Sequence, residues 1–388
     1  GQQTRLALIV VSTTLLIAPY MAVYRGYFQG FDLMTPTGTS QVIEQFIRVG
    51  LILFLAHELT IRGQSNEIVA AGIMTASVAG ATGSLVYLQL KKSRSRFNST
   101  YQHAPLSFPT FKFWSKKILA TSIPIAIGSI TMALFNFVDS ITIPFSFRAI
   151  GLTDNEITYQ FGIYSRGVVL VQIVTVFASS IILPLIPLIS KNLVENNLEG
   201  VHQPINKSFF LTQFLSWPAA VGLFVLAWPI NKALFTNFEG SWVLAITGVS
   251  SVFTSLVIVA TGVLQGLNKA RLSAWVILAG VLAKFVLNIV LTSEFGLIGA
   301  AISTLIVYLI IFIFQWLFIA KIIPLPIIQW RIVLAAIIMG GVIWLGTYLF
   351  QIENWSRWET LIFSAVATIL GAGIYFLLTI VLKINPKK

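Results

Sequence analysis

The chain has 388 residues, of which 56% are hydrophobic and only 10% are charged. A mean hydropathy of +0.87 excludes a water-soluble globular protein and indicates an all-α polytopic membrane protein. The net charge of +12 would suggest a nucleic-acid partner for a soluble protein, but in a membrane protein basic residues set the topology, so no nucleic acid is expected. Cysteine is absent, which excludes disulfides and thiolate metal sites.

Apolar runs long enough to cross the hydrocarbon core as helices recur along the whole chain. They are rich in Leu, Ile, Val and Phe and lack the alternation of a membrane barrel, so we predict eleven transmembrane helices. In chain order the runs are residues 6–24, 42–60, 68–90, 118–145, 166–190, 208–234, 242–264, 272–292, 297–320, 331–351 and 360–383.

Basic residues are unequally shared between the loops. If alternate loops lie on opposite sides of the membrane, most of the 25 Lys and Arg residues fall on one side, including those of the polar segment 91–117. The positive-inside rule makes that side cytoplasmic. The C-terminus is therefore predicted to be cytoplasmic, and residue 1 lies outside.

The pattern Gly-x-x-Gln-Gly occurs twice, at residues 26–30 and 262–266, each time between two apolar runs. It aligns the first three predicted helices with the seventh, eighth and ninth, which indicates parallel repeats. Three further helices are therefore expected upstream of residue 1, for fourteen in total. The predicted parts are an incomplete N-terminal lobe with three helices (1–90), a basic cytoplasmic linker (91–117), a six-helix C-terminal lobe (118–320), and two additional helices with a cytoplasmic tail (321–388).

Five charged residues fall within or at the edge of predicted spans: Glu44, Arg48, Asp139, Arg166 and Lys284. Charge inside a bilayer is costly, so such residues mark candidate functional sites. Arg48 and Lys284 have the same offset from the repeated motif. Glu44 lies one helical turn before Arg48, so either a self-neutralised pair or a substrate-binding role for Arg48 is open.

The other three charges point to an anionic substrate. Arg166 could reach the outer interface, but its guanidinium also suits bidentate capture of a phosphate. Lys284 lies in mid-span and is expected in a central cavity. Asp139 can pair with a cationic side chain, accept a proton or bind a coupling cation. Arg166, Lys284 and Arg48 are thus the predicted substrate-binding residues, with Asp139 and Glu44 as charge-pairing or ion-coupling residues.

No enzyme or nucleotide-driven motor is predicted. The phosphate-loop pattern Gly-x-x-x-x-Gly-Lys-[Ser/Thr] is absent, and His57, His103 and His202 lack metal-ligand spacing. We expect no cofactor and no metal site. The identity of a coupling ion, Na⁺ or H⁺, stays open.

The segment 24–49 carries the most specific resemblance to a known family. It contains YRGYFQG at 24–30, MTPT at 34–37 and SQVIEQFIRV at 40–49, and the segments 137–140, 161–167 and 184–190 fit the same family. The chain resembles the polysaccharide-biosynthesis and stage V sporulation protein B-like transporters of Gram-positive bacteria. These are related to the MurJ lipid II flippases in the multidrug/oligosaccharidyl-lipid/polysaccharide exporter superfamily.

The resemblance implies a two-lobe MATE/MurJ-like helical bundle in the bacterial plasma membrane, with eleven of fourteen helices present here. It implies that an undecaprenyl-pyrophosphate-linked oligosaccharide, lipid II or a polysaccharide precursor, moves to the outer leaflet by alternating access. Arg166 matches a cavity arginine of MurJ-type proteins, and the last two helices match a pair that forms a lipid-tail groove. The expected partners are this saccharide lipid, membrane lipids and cell-wall synthesis proteins. The transporter itself is expected to be a monomer.

Two other functions remain open from the sequence. A cation-coupled multidrug exporter of the same superfamily would have an acid-rich cavity, whereas three of the five in-span charges here are basic. A non-transporting scaffold for cell-wall assembly would have self-paired charges inside the membrane.

Overall fold

A computed structural model describes residues 2–31, 33–94, 107–324, 328–350 and 355–384, and within these ranges the regular secondary structure is α-helical throughout. The central part of the predicted linker (95–106), including His103, and the end of the tail (385–388) lie outside the described residues. The helices are α1 (Gln2–Ser12), α2 (Thr14–Gly30), α3 (Met34–Ile61), α4 (Asn66–Ser93), α5 (Phe108–Ser129), α6 (Thr131–Ala149), α7 (Asp154–Val194), α8 (Leu198–Val225), α9 (Ala227–Phe235), α10 (Ser241–Gly266), α11 (Ala270–Ala320), α12 (Trp330–Leu349) and α13 (Arg357–Val381).

The all-helical membrane fold predicted from the sequence is confirmed, although the helices divide the apolar runs differently. The run 118–145 is split between α5 and α6, which meet at a bend of 61°. The runs 272–292 and 297–320 instead share α11, which kinks at Gly296 (φ 59°, ψ −141°). Within the described ranges, eight helices, or nine with the bent pair, are long and apolar enough to span a membrane.

The first compact unit of the fold contains α1 to α4 and ends at Leu106. The helix α4 packs against α1, α2 and α3. Small residues on α4 let α3 approach closely: a Cβ added to Gly80 would lie 2.7 Å from the carbonyl oxygen of Glu44. This contact fixes the segment of α3 that carries the charged residues of the first unit.

The second unit begins at Ser107 and contains α5 to α13. Its centre is α10, which packs against α7, α8 and α11 and is largely buried, as expected of a helix that is apolar on all sides. The core between these helices includes Ile189, Ile205, Val252, Leu256 and Val307. The last two helices pack against α8 and α9.

We expect Gly299→Ala to destabilise the second unit. Beyond the kink at Gly296, a Cβ on Gly299 would lie 1.8 Å from the carbonyl oxygen of Leu291, and backbone cannot move aside as a side chain can. Forced overpacking of this kind costs about 1–3 kcal/mol. Thermal unfolding in detergent measures the effect, with Gly341→Ala as the control because a Cβ there meets no atom within 4 Å. Equal melting temperatures for both variants would contradict the kink geometry.

Candidate functional site: three clusters of intramembrane charge

A buried ion pair joins α6 to α11 inside the second unit. Lys284 Nζ lies 2.7 Å from Asp139 Oδ1, and the two side chains are 0% and 4% exposed. The kinked course of α11 also brings Thr304 to the ammonium group as a hydrogen-bond acceptor. We call Asp139 and Lys284 the interior pair.

Neighbouring side chains complete the hydrogen bonding of the interior pair. The Tyr164 hydroxyl donates to Asp139 Oδ2 at 3.0 Å, and Asn288 Nδ2 donates to Asp139 Oδ1 at 2.8 Å. Asn288 Nδ2 also lies 2.6 Å from the hydroxyl of Thr142. Both carboxylate oxygens of Asp139 are therefore engaged, and the network connects α6, α7 and α11.

The expected place of Lys284 in a central cavity stays a prediction, and in this structure its side chain is buried against Asp139. The side chain is fully buried. An ammonium left alone in an apolar interior would have a large desolvation cost, and the carboxylate of Asp139 offsets that cost. Of the three roles considered for Asp139, pairing with a cationic side chain is the one present.

A second cluster surrounds Arg166 on α7. One guanidinium nitrogen donates to Asn237 Oδ1 at 2.7 Å, to Asn231 Oδ1 at 3.2 Å and to the carbonyl oxygen of Glu239 at 3.3 Å. The guanidinium also lies over the ring of Phe235, 4.9 Å from its centroid. We call these residues the Arg166 site.

The partners of Arg166 are neutral, so its positive charge is not compensated. No carboxylate lies within 4.0 Å of it in the part of the chain that the structure describes. The side chain of Glu239 is hydrogen-bonded to Tyr159 instead. Asn231 is 0% exposed and also donates to Ser241, which fixes its orientation. The half-buried guanidinium is therefore pre-oriented and still positively charged.

The two clusters of the second unit face different sides of α7. Tyr164 contacts Asp139 and Arg166 contacts the connection between α9 and α10, since residues two apart point to nearly opposite sides of a helix. Arg166 and Lys284, both predicted to bind the substrate, are thus not brought into one cluster. The sequence analysis missed Tyr164, Asn231 and Asn237. Of these three, only Tyr164 could have been found from the sequence, because it lies two positions before Arg166 in the segment 161–167.

The third cluster lies in the first unit, where Glu44 binds two arginines. Arg48 pairs with it along α3, and Arg25 on α2 lies 2.8 Å from its other oxygen. Arg25 also donates to Ser40 and Ser84, both at 3.0 Å. We call Arg25, Glu44 and Arg48 the Glu44 triad. It carries one net positive charge and connects α2, α3 and α4. Arg25 lies just outside the predicted run 6–24, although it belongs to the segment 24–30 on which the resemblance depends.

We predict that Glu44→Gln destabilises the first unit by about 1–3 kcal/mol, because two half-buried guanidinium groups lose a charged acceptor and then repel each other. The matched control is Glu58→Gln, whose pair with Arg62 is exposed and follows the same i, i+4 spacing. That change should cost no more than about 0.5 kcal/mol. Melting temperatures in detergent give the comparison, and a Glu44 variant as stable as its control would disprove the structural role of the triad.

An apolar groove lies between α12 and α13 in the second unit. Its volume is about 760 Å³, and its lining includes Ile343, Phe350, Trp355, Phe363 and Leu370. At the start of α13, Arg357 Nε donates to the carbonyl oxygen of Ala233 on α9 at 2.9 Å. The same helix α9 carries Phe235, over which Arg166 lies. The helix α9 therefore contacts both Arg166 and the start of α13, which forms one wall of the groove.

The helical spans and the charged side chains held within them define a polytopic membrane protein. A family model described as polysaccharide biosynthesis protein matches residues 3–193. The chain belongs to the polysaccharide-biosynthesis and stage V sporulation protein B-like family, which is related to the MurJ proteins. The family resemblance found in the sequence is thereby confirmed.

Two curated relatives come from Bacillus subtilis (strain 168). The uncharacterized membrane protein YabM is 32% identical over 295 residues, which are 76% of this chain and 55% of YabM. The lipid II flippase MurJ is 27% identical over 325 residues, 80% of this chain and 59% of that protein. The chain thus spans a little more than half the length of these relatives.

A solved structure of lipid II flippase MurJ in the inward closed conformation has the same fold. It superposes with a TM-score of 0.66 at 18% identity, covering 96% of this chain and 73% of that chain. The predicted MurJ-like fold is confirmed by this match.

Proposed function

We propose that this protein moves an undecaprenyl-pyrophosphate-linked oligosaccharide to the outer leaflet of the bacterial plasma membrane by alternating access, with its C-terminus in the cytoplasm. The observation that carries the proposal is the pre-oriented guanidinium of Arg166, which has no ion-pair partner in the described ranges, in a unit that also contains an apolar groove. A lipid-linked saccharide needs both features, since it has a diphosphate that seeks cations and a long hydrocarbon tail.

Arg166 supports recognition of the diphosphate. A planar guanidinium binds phosphate oxygens through two parallel hydrogen bonds, and each charge-assisted bond gains strength where water is excluded. Asn231 and Asn237 hold it without neutralising it. The Glu44 triad supports the same assignment in the first unit, because Arg48 shares its one acidic partner with Arg25 and leaves a net positive charge.

The groove between α12 and α13 supports recognition of the lipid tail. Its lining is almost entirely apolar, and it runs along the two helices that the resemblance assigns to a lipid-tail groove. The helix α9 contacts both Arg357 at the start of α13 and Arg166. A diphosphate at Arg166 and a polyprenyl tail in the groove would both lie in the second unit.

We assign Lys284 a conditional role. It becomes available to a diphosphate only after its contact with Asp139 breaks, so in this state its charge is reserved for the interior pair. Opening of that pair would free a second cation at a later stage of transport. No separate coupling-ion site is proposed for the closed pair.

The pairing of the charged side chains argues against the two other functions considered from the sequence. A drug exporter for cations needs an acid that is not already neutralised, whereas Asp139 and Glu44 both have basic partners. A pure scaffold would have all of its charges paired, whereas Arg166 has no carboxylate partner in the described ranges. Because MurJ of B. subtilis is named a lipid II flippase, we propose lipid II as the cargo to test first.

Translocation can be measured with the full chain in vesicles that contain fluorescent lipid II. A membrane-impermeant reductant bleaches only the outer leaflet, so a transporter increases the bleached fraction over time. We expect faster bleaching than in protein-free vesicles. A fluorescent polyprenyl sugar without phosphate is the control, and it should not be transported. Equal bleaching with and without protein would refute the proposal and favour a scaffold. Transport of the phosphate-free lipid as fast as that of lipid II would refute the role of the diphosphate.

A further inference from the structure

A second cavity lies in the first unit, at the end where α2 stops, α3 begins and α4 stops. Its volume is about 590 Å³, within the range of small-molecule sites. Apolar and aromatic side chains form its wall, and two basic side chains stand at its edge. These residues include Phe28, Leu33, Tyr87, Leu90, Lys91 and Arg94.

Lys91 and Arg94 are the charged side chains among the described residues that line this cavity. Lys91 and Arg94 are exposed, and neither makes an ion pair with any residue that the structure describes. They belong to a run of four basic residues between positions 91 and 96. The acid nearest to this end on α3 is Glu44, which is already shared by two arginines. An anion is therefore the complementary ligand.

The wall of the cavity narrows the choice among anions. Phe28 and Leu90 offer only hydrocarbon, and Leu90 is 53% exposed on the outside of α4. A small hydrated anion gains nothing from such a wall, whereas a ligand with a phosphate next to acyl chains satisfies both halves. We propose that this cavity binds the head group of an anionic phospholipid of the cytoplasmic leaflet, with Lys91 and Arg94 on its phosphate and the acyl chains against α4.

This binding site is distinct from the proposed cargo-binding residues, because its lining includes neither Arg166, the groove nor the Glu44 triad. Juxtamembrane basic residues each strengthen attachment to anionic lipid by roughly fivefold, so two of them predict a preference of roughly tenfold to thirtyfold for an anionic over a zwitterionic head group. If these residues only set the membrane topology, binding of water-soluble short-chain lipids would show no preference for anionic over zwitterionic head groups.

The test uses the purified full chain in a neutral detergent with two short-chain lipids, dioctanoyl phosphatidylglycerol and dioctanoyl phosphatidylcholine. Titration calorimetry should show at least tenfold tighter binding of phosphatidylglycerol. The double variant Lys91→Gln/Arg94→Gln should lose this preference. The double variant Lys116→Gln/Lys117→Gln removes the same charge from α5, outside the cavity, and should keep it.

A cavity-filling variant separates a built site from general charge attraction. Thr35→Trp keeps every charge but places an indole in the cavity, where Thr35 is part of the lining and exposed. We expect weaker phosphatidylglycerol binding at an unchanged melting temperature. Equal affinity for both lipids, or an unaltered preference in the Lys91→Gln/Arg94→Gln variant, would overturn the proposal. Displacement of the lipid by inorganic phosphate alone at millimolar concentration would also overturn it and identify free phosphate as the ligand.

Discussion

Replacement of Lys284 by methionine should lower the free energy of unfolding by about 3–5 kcal/mol, the cost of leaving one member of a buried ion pair without its partner. Methionine has nearly the length of lysine, so packing changes little, but the carboxylate of Asp139 is then buried at 3% exposure without a counter-charge. Tyr164 and Asn288 still donate hydrogen bonds to it and cannot supply the missing charge. Thermal unfolding of the full chain in detergent measures the loss.

A double variant shows whether the loss comes from the charge. Lys284→Met combined with Asp139→Asn removes both charges and should recover most of the stability, since a buried pair replaced as a whole is often nearly neutral. The surface pair Arg148 and Asp154 provides the control, because Arg148→Met should cost about 0–1 kcal/mol. If single and double variants were equally unstable, shape rather than charge would be the cause. A stable double variant that still moves lipid II would remove Lys284 from the set of cargo-binding residues.

The substitution Arg166→Lys should slow lipid II translocation by roughly 10- to 100-fold, the equivalent of one lost charge-assisted hydrogen bond. Lysine keeps the positive charge but lacks the planar fork that lets Arg166 hold Asn231 and Asn237 and still face a phosphate. The rate in reconstituted vesicles is the measurement, and the melting temperature should change little because Arg166 is only half-buried.

The matched control is Arg148→Lys in the exposed ion pair of the same unit, and it should leave the rate unchanged. A wild-type rate for Arg166→Lys would contradict a bidentate phosphate contact. A slow rate accompanied by a large loss of stability would instead assign Arg166 to holding the α9–α10 connection. Asn237→Ala separates these effects further, because it frees the guanidinium without removing it.

Most of the fold was accessible from the sequence because the bilayer imposes a simple rule. Each span has to bury its backbone hydrogen bonds within a helix and present apolar side chains, so run length and composition suffice to find it. Within the described residues, each of the eleven predicted runs lies mostly in one helix or in two consecutive helices. The bend between α5 and α6 and the kink at Gly296 were beyond reach, because apolar composition says nothing about where a backbone changes direction.

In the candidate site, too, contacts within one helix were predictable and contacts between helices were not. The contact between Glu44 and Arg48 was predictable because it lies within one turn of one helix. Arg25 joins them only through the packing of α2 and α3 against α4. The asparagines at Arg166 lie 65 and 71 residues further along the chain, on and after α9, and no local pattern relates them to α7.

The sequence by itself determined that this is a helical membrane protein of the polysaccharide-biosynthesis family, and it selected five charged residues as costly in a bilayer. Only the tertiary structure decided which of those charges are neutralised. Lys284 was ranked with Arg166 as a binder of anions, but α6 brings Asp139 to it, whereas α9 brings only neutral groups to Arg166. The cost of an intramembrane charge is local, but its partner comes from another helix, so packing decides which cations remain available to a cargo.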